Sequence, residues 1–250
     1  MAVSIKSARE IELMREAGKR LAHVHQELEA MIAPGISTWE IDAKGEKLIR
    51  DCGCIPNFLH YNGYPASICV SVNDEVVHGI PRKDRYLKEG GIVSLDAGLI
   101  YKGYHSDAAR THAVGKVSTE AQKLMDVTKQ SFFEGIKMAK EGQHLHDISR
   151  AIEEYVTPYG YGIVRDLVGH GIGTALHEDP QIPNYAQKRR GVRLQAGMTL
   201  AIEPMINAGT WQVRFLRDGW TVVTKDGSLS AHYENTILVT DGEPEILTLY

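Results

Sequence analysis

Two aspartates lie on either side of a short turn in the first half of the chain. Asp96 ends an apolar run, and Asp107 follows a turn expected near Tyr101 and Lys102. In an antiparallel hairpin their side chains would lie side by side, with Cβ atoms about 5 Å apart. Facing carboxylates repel each other unless they share a proton or a cation. The alternative is that Asp107 faces solvent near the end of the hairpin.

A second pair of acids repeats this arrangement. Glu203 ends the apolar run from Met198 to Ile202, and Glu234 lies in a segment, residues 231–239, that is typical of one return strand. If the two halves are built alike, the four carboxylates meet at one site. Sites rich in oxygen ligands suit hard divalent cations, and two such ions would balance four negative charges.

A histidine among glycines adds a nitrogen to this set. His170 lies in the sequence Val-Gly-His-Gly-Ile-Gly, where three glycines would let the backbone come close to whatever the ring binds. A lone histidine is more often structural than a ligand, but four acids in the same chain favour a ligand here. One nitrogen with several carboxylates is typical of a hydrolytic dinuclear site that holds Mn, Fe, Co or Zn.

Two further histidines precede turns that contain proline, where functional loops collect. They are His78, in Val-Val-His-Gly-Ile-Pro, and His177, in Leu-His-Glu-Asp-Pro. Both could also be ordinary surface residues. The other eight histidines have no comparable context, and His23 and His25 are expected on the surface of a helix.

The two halves of the chain resemble each other at a constant offset of 107 residues, which carries Asp96 onto Glu203. In both copies a glycine turn leads into an apolar run that ends on a carboxylate. This pattern predicts a duplicated half-domain that contributes one acid from each half to a shared site. The alternative is chance similarity. The matched positions are Met31, Gly35, Glu40, Ile41, Glu46, Leu87, Gly90 and Leu95, with Met138, Gly142, Asp147, Ile148, Glu153, Leu194, Gly197 and Ile202.

Helices and strands should position these residues in the same order in each half. Capping boxes predict one helix from Ser7 and one from Ser37, and glycine-containing turns and apolar periodicity predict the rest. No low-complexity linker separates the halves. We therefore expect a single catalytic domain, residues 1–250, of class α+β, with pseudo-twofold halves of roughly 8–113 and 114–250. Further helices are expected over about 118–140 and 146–155, and strands over 67–72, beside Lys102-Gly103, and from Met198 onward.

The composition excludes several classes of protein. A net charge of -4 gives no reason to expect nucleic-acid binding. No run of 18 apolar residues predicts a membrane span, and no signal peptide is expected. The odd count of 3 cysteines does not suggest a disulfide framework, so a cytoplasmic location is expected. Cys52 and Cys54 are expected to be free thiols.

At these residues the chain resembles type I methionine aminopeptidases of the short bacterial form, over essentially its whole length. The ordered Asp, Asp, His, Glu, Glu set is shared with the wider creatinase or pita-bread fold class. The segments 61–69 and 76–81 are specific to the aminopeptidase branch. Neither a zinc-finger extension before the domain nor a long insertion between His170 and Glu203 is expected. The remaining matching segments are 70–75, 95–107, 170–173, 201–204, Trp220 and 228–236.

The resemblance implies a role for each residue of the metal site. Asp96 would chelate one ion, His170 and Glu203 would hold the other, and Asp107 and Glu234 would bridge the two. A hydroxide between the metals would attack the first peptide bond, because metal binding lowers the pKa of water from ~16 to about 7. Glu203 would also act as general base.

The resemblance also implies how the substrate binds. His78 and His177 would contact the scissile peptide group, and the free amine of the substrate would coordinate a metal. A narrow pocket of aromatic residues and sulfur suits the unbranched, polarisable methionine side chain. Plain core packing is the alternative for each pocket residue, and Asn62 is given no role. The pocket would draw on Phe58, Tyr61, Tyr64, Cys69, Leu176 and Trp220.

The expected substrates are therefore nascent polypeptides and short peptides with a free N-terminal methionine and a small second residue. We expect a monomer, and a transient contact with the ribosome stays open. Two rivals remain: a proline-specific peptidase of the same fold, which usually carries a large additional N-terminal domain, and a non-enzymatic binding protein that has lost the metals.

Overall fold

The computed structural model describes residues 3–250, which contain four α-helices. Two short 3-10 turns lie over Tyr61–Gly63 and Thr157–Tyr159. The α-helices are α1 (Ala8–Glu29), α2 (Thr38–Asp51), α3 (Thr119–Ile136) and α4 (Leu145–Val156).

Both predicted capping boxes are confirmed. Ser7 accepts a hydrogen bond from the Glu10 amide, and the Glu10 carboxylate accepts one from the Ser7 amide in return. Ser37 and Glu40 make the same pair of bonds at the start of α2. The predicted third helix is shorter than expected, because it ends at Ile136 rather than near residue 140.

Fifteen strands, most of them short, form the rest of the described secondary structure. They are β1 (Ile55–Pro56), β2 (Ile68–Val72), β3 (Glu75–Val77), β4 (Ile92–Tyr101), β5 (Tyr104–Ala113), β6 (Gly162–Ile163), β7 (Gly169–Gly171), β8 (Glu178–Ile182), β9 (Thr199–Ile202), β10 (Met205–Asn207), β11 (Val213–Phe215), β12 (Val222–Thr224), β13 (Ser230–His232), β14 (Glu234–Leu238) and β15 (Glu245–Ile246).

One nine-stranded sheet joins the two halves of the chain. Its main path runs β1-β4-β5-β14-β9-β7-β8, with β2 added beside β4 and β15 beside β14. Two three-stranded sheets, β13-β10-β6 and β11-β12-β3, complete the fold. The strand pairs in all three sheets are antiparallel. The α+β class is confirmed.

The internal pseudo-twofold symmetry predicted from the repeat is visible in the element bounds. The helices α2 and α4 begin at Thr38 and Leu145, and the strands β4 and β9 begin at Ile92 and Thr199. Both pairs of starting residues are separated by the same 107 residues as the sequence repeat. Strands β5 and β14, one from each half, are neighbours in the middle of the large sheet.

The helices cover one face of this sheet and leave the other for the site. Leu95, Ala97 and Leu99 of β4 pack with α1 and α2 in one buried apolar cluster. Leu200 and Ile202 of β9 pack with α3 and α4 in a second cluster. Because side chains alternate along a strand, the residues between these apolar ones face the opposite side.

Two local expectations are wrong. The predicted return strand over 231–239 is two strands in different sheets, because the chain changes sheet at Tyr233 between β13 and β14. His25 is not on the helix surface, because it is fully buried and its Nε2–H donates to the carbonyl of Ala108 at 2.8 Å.

None of the helices in residues 3–250 has the length and apolar character that a membrane crossing requires.

A glycine in α1 lets that helix approach the C-terminal segment. A Cβ added at Gly18 would lie 2.1 Å from the carbonyl oxygen of Leu247, which is backbone and cannot turn away. We expect Gly18→Ala to lower the free energy of unfolding by about 1–3 kcal/mol, although alanine has the higher helix propensity. Urea unfolding measures the change. The neighbouring exposed substitution Lys19→Ala should stay within about 0.5 kcal/mol of the parent, and equal stability of both variants would contradict the close packing.

Candidate metal centre

The register of three central strands brings two acids into one row. Ala109 of β5 pairs with Asp96 of β4 on one side and with Glu234 of β14 on the other. Residues that pair directly point to the same face of a sheet. Asp107 lies two positions before Ala109 in β5 and therefore shares this face.

The expected side-by-side pairing of Asp96 with Asp107 needs a correction. The turn is centred on Lys102 and Gly103, both with positive φ, so Asp107 pairs with Gly98. Asp96 is therefore its diagonal neighbour on the same face. A diagonal pair in a sheet still lies within reach, at Cα separations of about 7–8 Å.

The second half adds a carboxylate and a histidine to the same face. Asn235 pairs with Ile202, which leaves Glu234 and Glu203 as the next neighbours across β14 and β9. His170 of β7 pairs with Ala201, two positions before Glu203. The alternation of side chains along each strand thus directs all five predicted ligands to one side of the sheet.

These carboxylates are crowded and have no basic partner in the cavity they line. Among residues 3–250, no lysine or arginine lines it. Asp96 Oδ1, Asp107 Oδ1 and Glu234 Oε1 are buried without a hydrogen-bond partner in the described structure. Burial raises the pKa of Asp96 to about 7. Burial also lifts the pKa of Asp107, Glu203 and Glu234 well above the usual range, and neighbouring carboxylates add to this for Asp107 and Glu234.

His170 is oriented as a metal ligand would be. Its Nδ1–H donates to the carbonyl of Gly171 at 2.9 Å, which leaves the lone pair on Nε2. Nε2 lies 3.6 Å from Glu203 Oε1 and 3.9 Å from Asp107 Oδ2. Burial lowers the pKa of His170 to about 3, so the ring is neutral and available to a metal at pH 7.

Two of the three glycines around His170 lie close to the backbone of neighbouring strands. A Cβ at Gly169 would lie 2.4 Å from the carbonyl oxygen of Ala201, and one at Gly171 would lie 2.2 Å from that of Asp179. Both contacts are with the neighbouring strands β9 and β8. Gly169 and Gly171 therefore let these strands approach closely on either side of β7.

The donor set fits divalent metal ions. Potential ligand atoms form two groups, and within each group the atoms lie within 4.8 Å of one another. The first group is Asp107, His170 and Glu234, and the second is Glu203, His232 and Glu234. Orphaned carboxylate oxygens with one imidazole nitrogen are hard or borderline ligands, which suit Mn, Fe, Co and Zn. Cations would satisfy the buried oxygens and remove the repulsion between the carboxylates.

His78 and His177 border the same cavity, outside the group of carboxylates. His78 is held at a positive φ of 58°, which is uncommon for a residue with a side chain. Burial lowers its pKa to about 4. His177 is exposed, and its Nδ1 lies 2.8 Å from the hydroxyl of Tyr61. Its ring centroid is 4.3 Å from that of His170.

A cavity of about 270 Å³ contains every residue named as a site residue from the sequence. Its apolar end is built around Tyr64 and Trp220, whose rings meet edge to face at 5.1 Å. Asn62, which has no predicted role, also borders it. Besides the five predicted ligands with His78 and His177, the lining residues are Phe58, Tyr61, Tyr64, Cys69, Leu176 and Trp220.

Sequence reasoning missed His232 at this site. It is 1% exposed, and its Nε2 lies 3.6 Å from Glu203 Oε2. Its position two residues before Glu234 could have drawn attention to it. The expectation of a single strand through 231–239 gave no reason to do so, because it did not include the change of sheet between His232 and Glu234.

Known proteins with related sequences and structures identify the family. A sequence profile of metallopeptidase family M24 matches residues 12–241. A methionine aminopeptidase of Clostridium acetobutylicum is 53% identical over 247 residues, which cover 99% of each chain. Methionine aminopeptidase 1 of Bacillus subtilis is 51% identical over 97% of this chain and 98% of its own. The crystal structure of methionine aminopeptidase from Thermotoga maritima superimposes with a TM-score of 0.97 and 46% identity over the whole of both chains. The chain therefore belongs to metallopeptidase family M24 and, within it, to the methionine aminopeptidases.

Proposed function

We propose that this protein removes the N-terminal methionine from polypeptides and peptides by metal-dependent hydrolysis of the first peptide bond. One observation carries the proposal: four carboxylates and the neutral His170 face a cavity that continues into an apolar pocket of aromatic residues and a thiol. A charged hydrolytic end beside an apolar end suits a substrate with an apolar first side chain and a reactive bond next to it.

Two divalent ions per chain are proposed, drawn from Co, Mn, Fe and Zn. The support for two is the number of acids, because two ions balance four negative charges. Asp96 would hold one ion, and His170 with Glu203 would hold the other. Asp107 and Glu234 would bridge them, consistent with their central place on β5 and β14 and with their nearly complete burial, at 4% and 2% exposed.

The bound ions would supply hydroxide at neutral pH and polarise the scissile carbonyl. Glu203 is the proposed proton acceptor. Its side chain is 13% exposed, more than those of Asp107 and Glu234, so it keeps an edge towards the cavity. A carboxylate within hydrogen-bond reach of the attacking water can accept its proton and later return it to the leaving nitrogen.

His177 and His78 are proposed to act on the substrate. The Tyr61 hydroxyl lies 2.8 Å from Nδ1 of His177 and is proposed to donate to it. The ring proton would then be on Nε2, able to donate to the substrate carbonyl or leaving nitrogen. His78 faces the same cavity beside Trp220, at a ring distance of 6.2 Å. Both rings thus border the space between the acids and the apolar end.

The methionine side chain is proposed to occupy the apolar end. Cys69 is 3% exposed, and burial raises the pKa of its thiol, so it stays neutral and polarisable. Phe58, Tyr64 and Leu176 are buried, and Trp220 closes the edge. Unbranched thioether side chains suit such a lining better than β-branched or charged ones do.

The wider setting of this activity is also a proposal. Residues 1–250 are proposed to form one catalytic domain, supported by the nine-stranded sheet that takes strands from both halves. Nascent chains are the proposed substrates, with a transient contact at the ribosome and a cytoplasmic place of action. A monomer is proposed, because every proposed ligand comes from the same chain.

A panel of peptides tests the proposed substrate. We expect Met-Ala and Met-Gly peptides to be cleaved much faster than Leu-Ala, Met-Lys or Ala-Pro peptides, because the apolar end accepts methionine and a small second residue follows it. Release of the free amino acid measures the rate. Preference for Ala-Pro would favour a proline-specific peptidase, and no cleavage by metal-loaded protein would favour a binding protein. Acetylation of the amine should stop cleavage, and equal rates for acetylated peptides would contradict the exopeptidase mechanism.

Substitution of His78 or His177 should lower the catalytic rate without loss of bound metal. We expect His78→Ala and His177→Ala each to keep bound metal and to lower kcat by about 100-fold or more, because each removes a polar group aimed at the substrate. Metal content and peptide kinetics measure the two effects. Loss of metal from either variant would make that histidine a ligand and contradict its role. His23→Ala, exposed on α1, is the matched control.

Removal of metal should reveal the repulsion between the carboxylates. An unfolded aspartate has a pKa of about 3.9, whereas the folded value for Asp96 is about 7. Between these values the folded state binds more protons than the unfolded state, so this group lowers stability as the pH rises. With chelator present at about pH 8, we expect Asp96→Asn to raise the free energy of unfolding by about 2–4 kcal/mol.

This gain should shrink towards zero below about pH 4, where the wild-type carboxyl is protonated in both states. Urea unfolding at the two pH values measures it. With metal added, the wild type should have the higher free energy of unfolding, because only the wild type is stabilised fully by metal binding. The exposed substitution Asp84→Asn should change stability by less than about 0.5 kcal/mol at either pH. A metal-free Asp96→Asn variant no more stable than wild type at about pH 8 would contradict the crowding.

A further inference from the structure

His232 is a buried histidine without an assigned role, beside two acids of the metal centre. Its Nε2 lies 3.6 Å from Glu203 Oε2 and 4.0 Å from Glu234 Oε2. Neither of its ring nitrogens has a hydrogen-bond partner in the described part of the chain. Leaving a buried polar group unpaired costs about 1–3 kcal/mol, so the arrangement calls for an explanation.

The backbone of His232 is fixed by a single side chain. Its amide donates to Thr111 Oγ1 at 2.8 Å, and the Thr111 hydroxyl lies 2.9 Å from the carbonyl of His232. Ser94 Oγ lies 2.8 Å from the same threonine oxygen. Thr111 belongs to β5, the strand that carries Asp107. The backbone that carries the imidazole is therefore tied to the strand of Asp107.

The position of the ring distinguishes it from the five predicted ligands. The catalytic cavity is lined by those five residues but not by His232. His232 instead lines a second cavity of about 300 Å³, the rear cavity, which lies between the sheet, the end of α1 and α3. Arg110, His112 and Lys129 border the rear cavity as well. His232 thus comes close to two of the carboxylates without lining the cavity that they share.

Glu203 lies between two histidines, with one oxygen towards each. Its Oε1 is 3.6 Å from His170 Nε2, and its Oε2 is 3.6 Å from His232 Nε2. The second distance exceeds an ordinary N–H···O hydrogen bond by about 0.5 Å. A small rotation of the carboxylate closes such a gap, and hydrogen bonds in active sites are often long until the reacting complex forms.

We propose that His232 is a positioning residue of the metal centre, which donates a hydrogen bond from Nε2 to Glu203 Oε2 and thereby directs Oε1 towards the ion. The inference rests on the proposed function, because it takes Glu203 as a ligand and proton acceptor. A carboxylate held at one oxygen loses rotational freedom, so less entropy is lost when the other oxygen binds metal.

Three variants separate this role from simple packing. His232→Gln keeps an N–H donor near the position of Nε2, whereas His232→Met fills a similar volume without a donor. His112→Met is the matched control, because His112 also borders the rear cavity and its side chain is only 10% exposed. Among residues 3–250 its ion-pair partner is Glu29, not a site acid. Thermal unfolding of the metal-free proteins checks that each variant is folded.

Cobalt(II) is the probe for the metal site. We expect His232→Met to weaken Co²⁺ binding by about 10-fold or more and to change the visible absorption of bound Co²⁺. With a Met-Ala peptide, kcat should fall by about 10- to 100-fold while KM stays within about twofold, since His232 does not border the substrate cavity. His232→Gln should recover all three quantities to within about threefold, and His112→Met should match the wild type.

Several results would overturn the proposal. One is wild-type Co²⁺ affinity and kcat in His232→Met. Another is an equal decrease of Co²⁺ affinity and kcat in His232→Gln and His232→Met. A third is the same decrease of both quantities in His112→Met. Complete loss of one bound Co²⁺ in His232→Met would make the residue a direct ligand and also contradict it. His170→Ala separates the two levels of inference. If His170→Ala binds Co²⁺ normally, the proposed metal site is wrong. If His170→Ala loses Co²⁺ while His232→Met binds it like the wild type, only the role of His232 is contradicted.

Discussion

The mutual repulsion of four carboxylates on one face of a sheet is the constraint on which this structure depends. Asp96, Asp107, Glu203 and Glu234 come from four neighbouring strands, and no lysine or arginine among residues 3–250 lines their cavity. The arrangement is unfavourable in the apolar interior unless cations or protons neutralise it. A fold that keeps these groups together must therefore gain its stability elsewhere and hold the strands too firmly to move apart.

The opposite face of the sheet provides that stability. Both apolar clusters lie there, between the strands and the four helices. Arg110 of β5 is buried. Its guanidinium donates to the carbonyl of Glu234, to Asn235 Oδ1 at 2.6 Å and to the carbonyl of Thr248 at 3.2 Å. These bonds join β5, β14 and the C-terminal segment directly behind the acids. The positive charge of the Arg110 guanidinium also offsets part of the negative charge of the Glu234 carboxylate.

The sequence predicted which residues line one cavity better than it predicted the geometry among them. Local signals sufficed for the capping boxes, the hairpin and the repeat, because each depends on residues close in the chain. The diagonal offset of Asp96 and Asp107 could not be predicted, since a shift of one residue in the turn moves the register by two. His232 was missed for a similar reason. Its place beside Glu203 depends on the change of sheet at Tyr233. The packing of strands that are distant in sequence determines that change.

The same register relates the proposed methionine pocket to the proposed metals. Cys69 of β2 pairs directly with Asp96 of β4, so the thiol and a proposed ligand are separated by one strand spacing of about 4.8 Å. A side chain bound beside that thiol places its own backbone next to the acids. Only the first residue of a peptide can present both a free amine and a scissile carbonyl at that distance. Under the proposed function, the spacing of β2 and β4 contributes to the selection of chain ends, because it brings the pocket for the first side chain next to a proposed metal ligand.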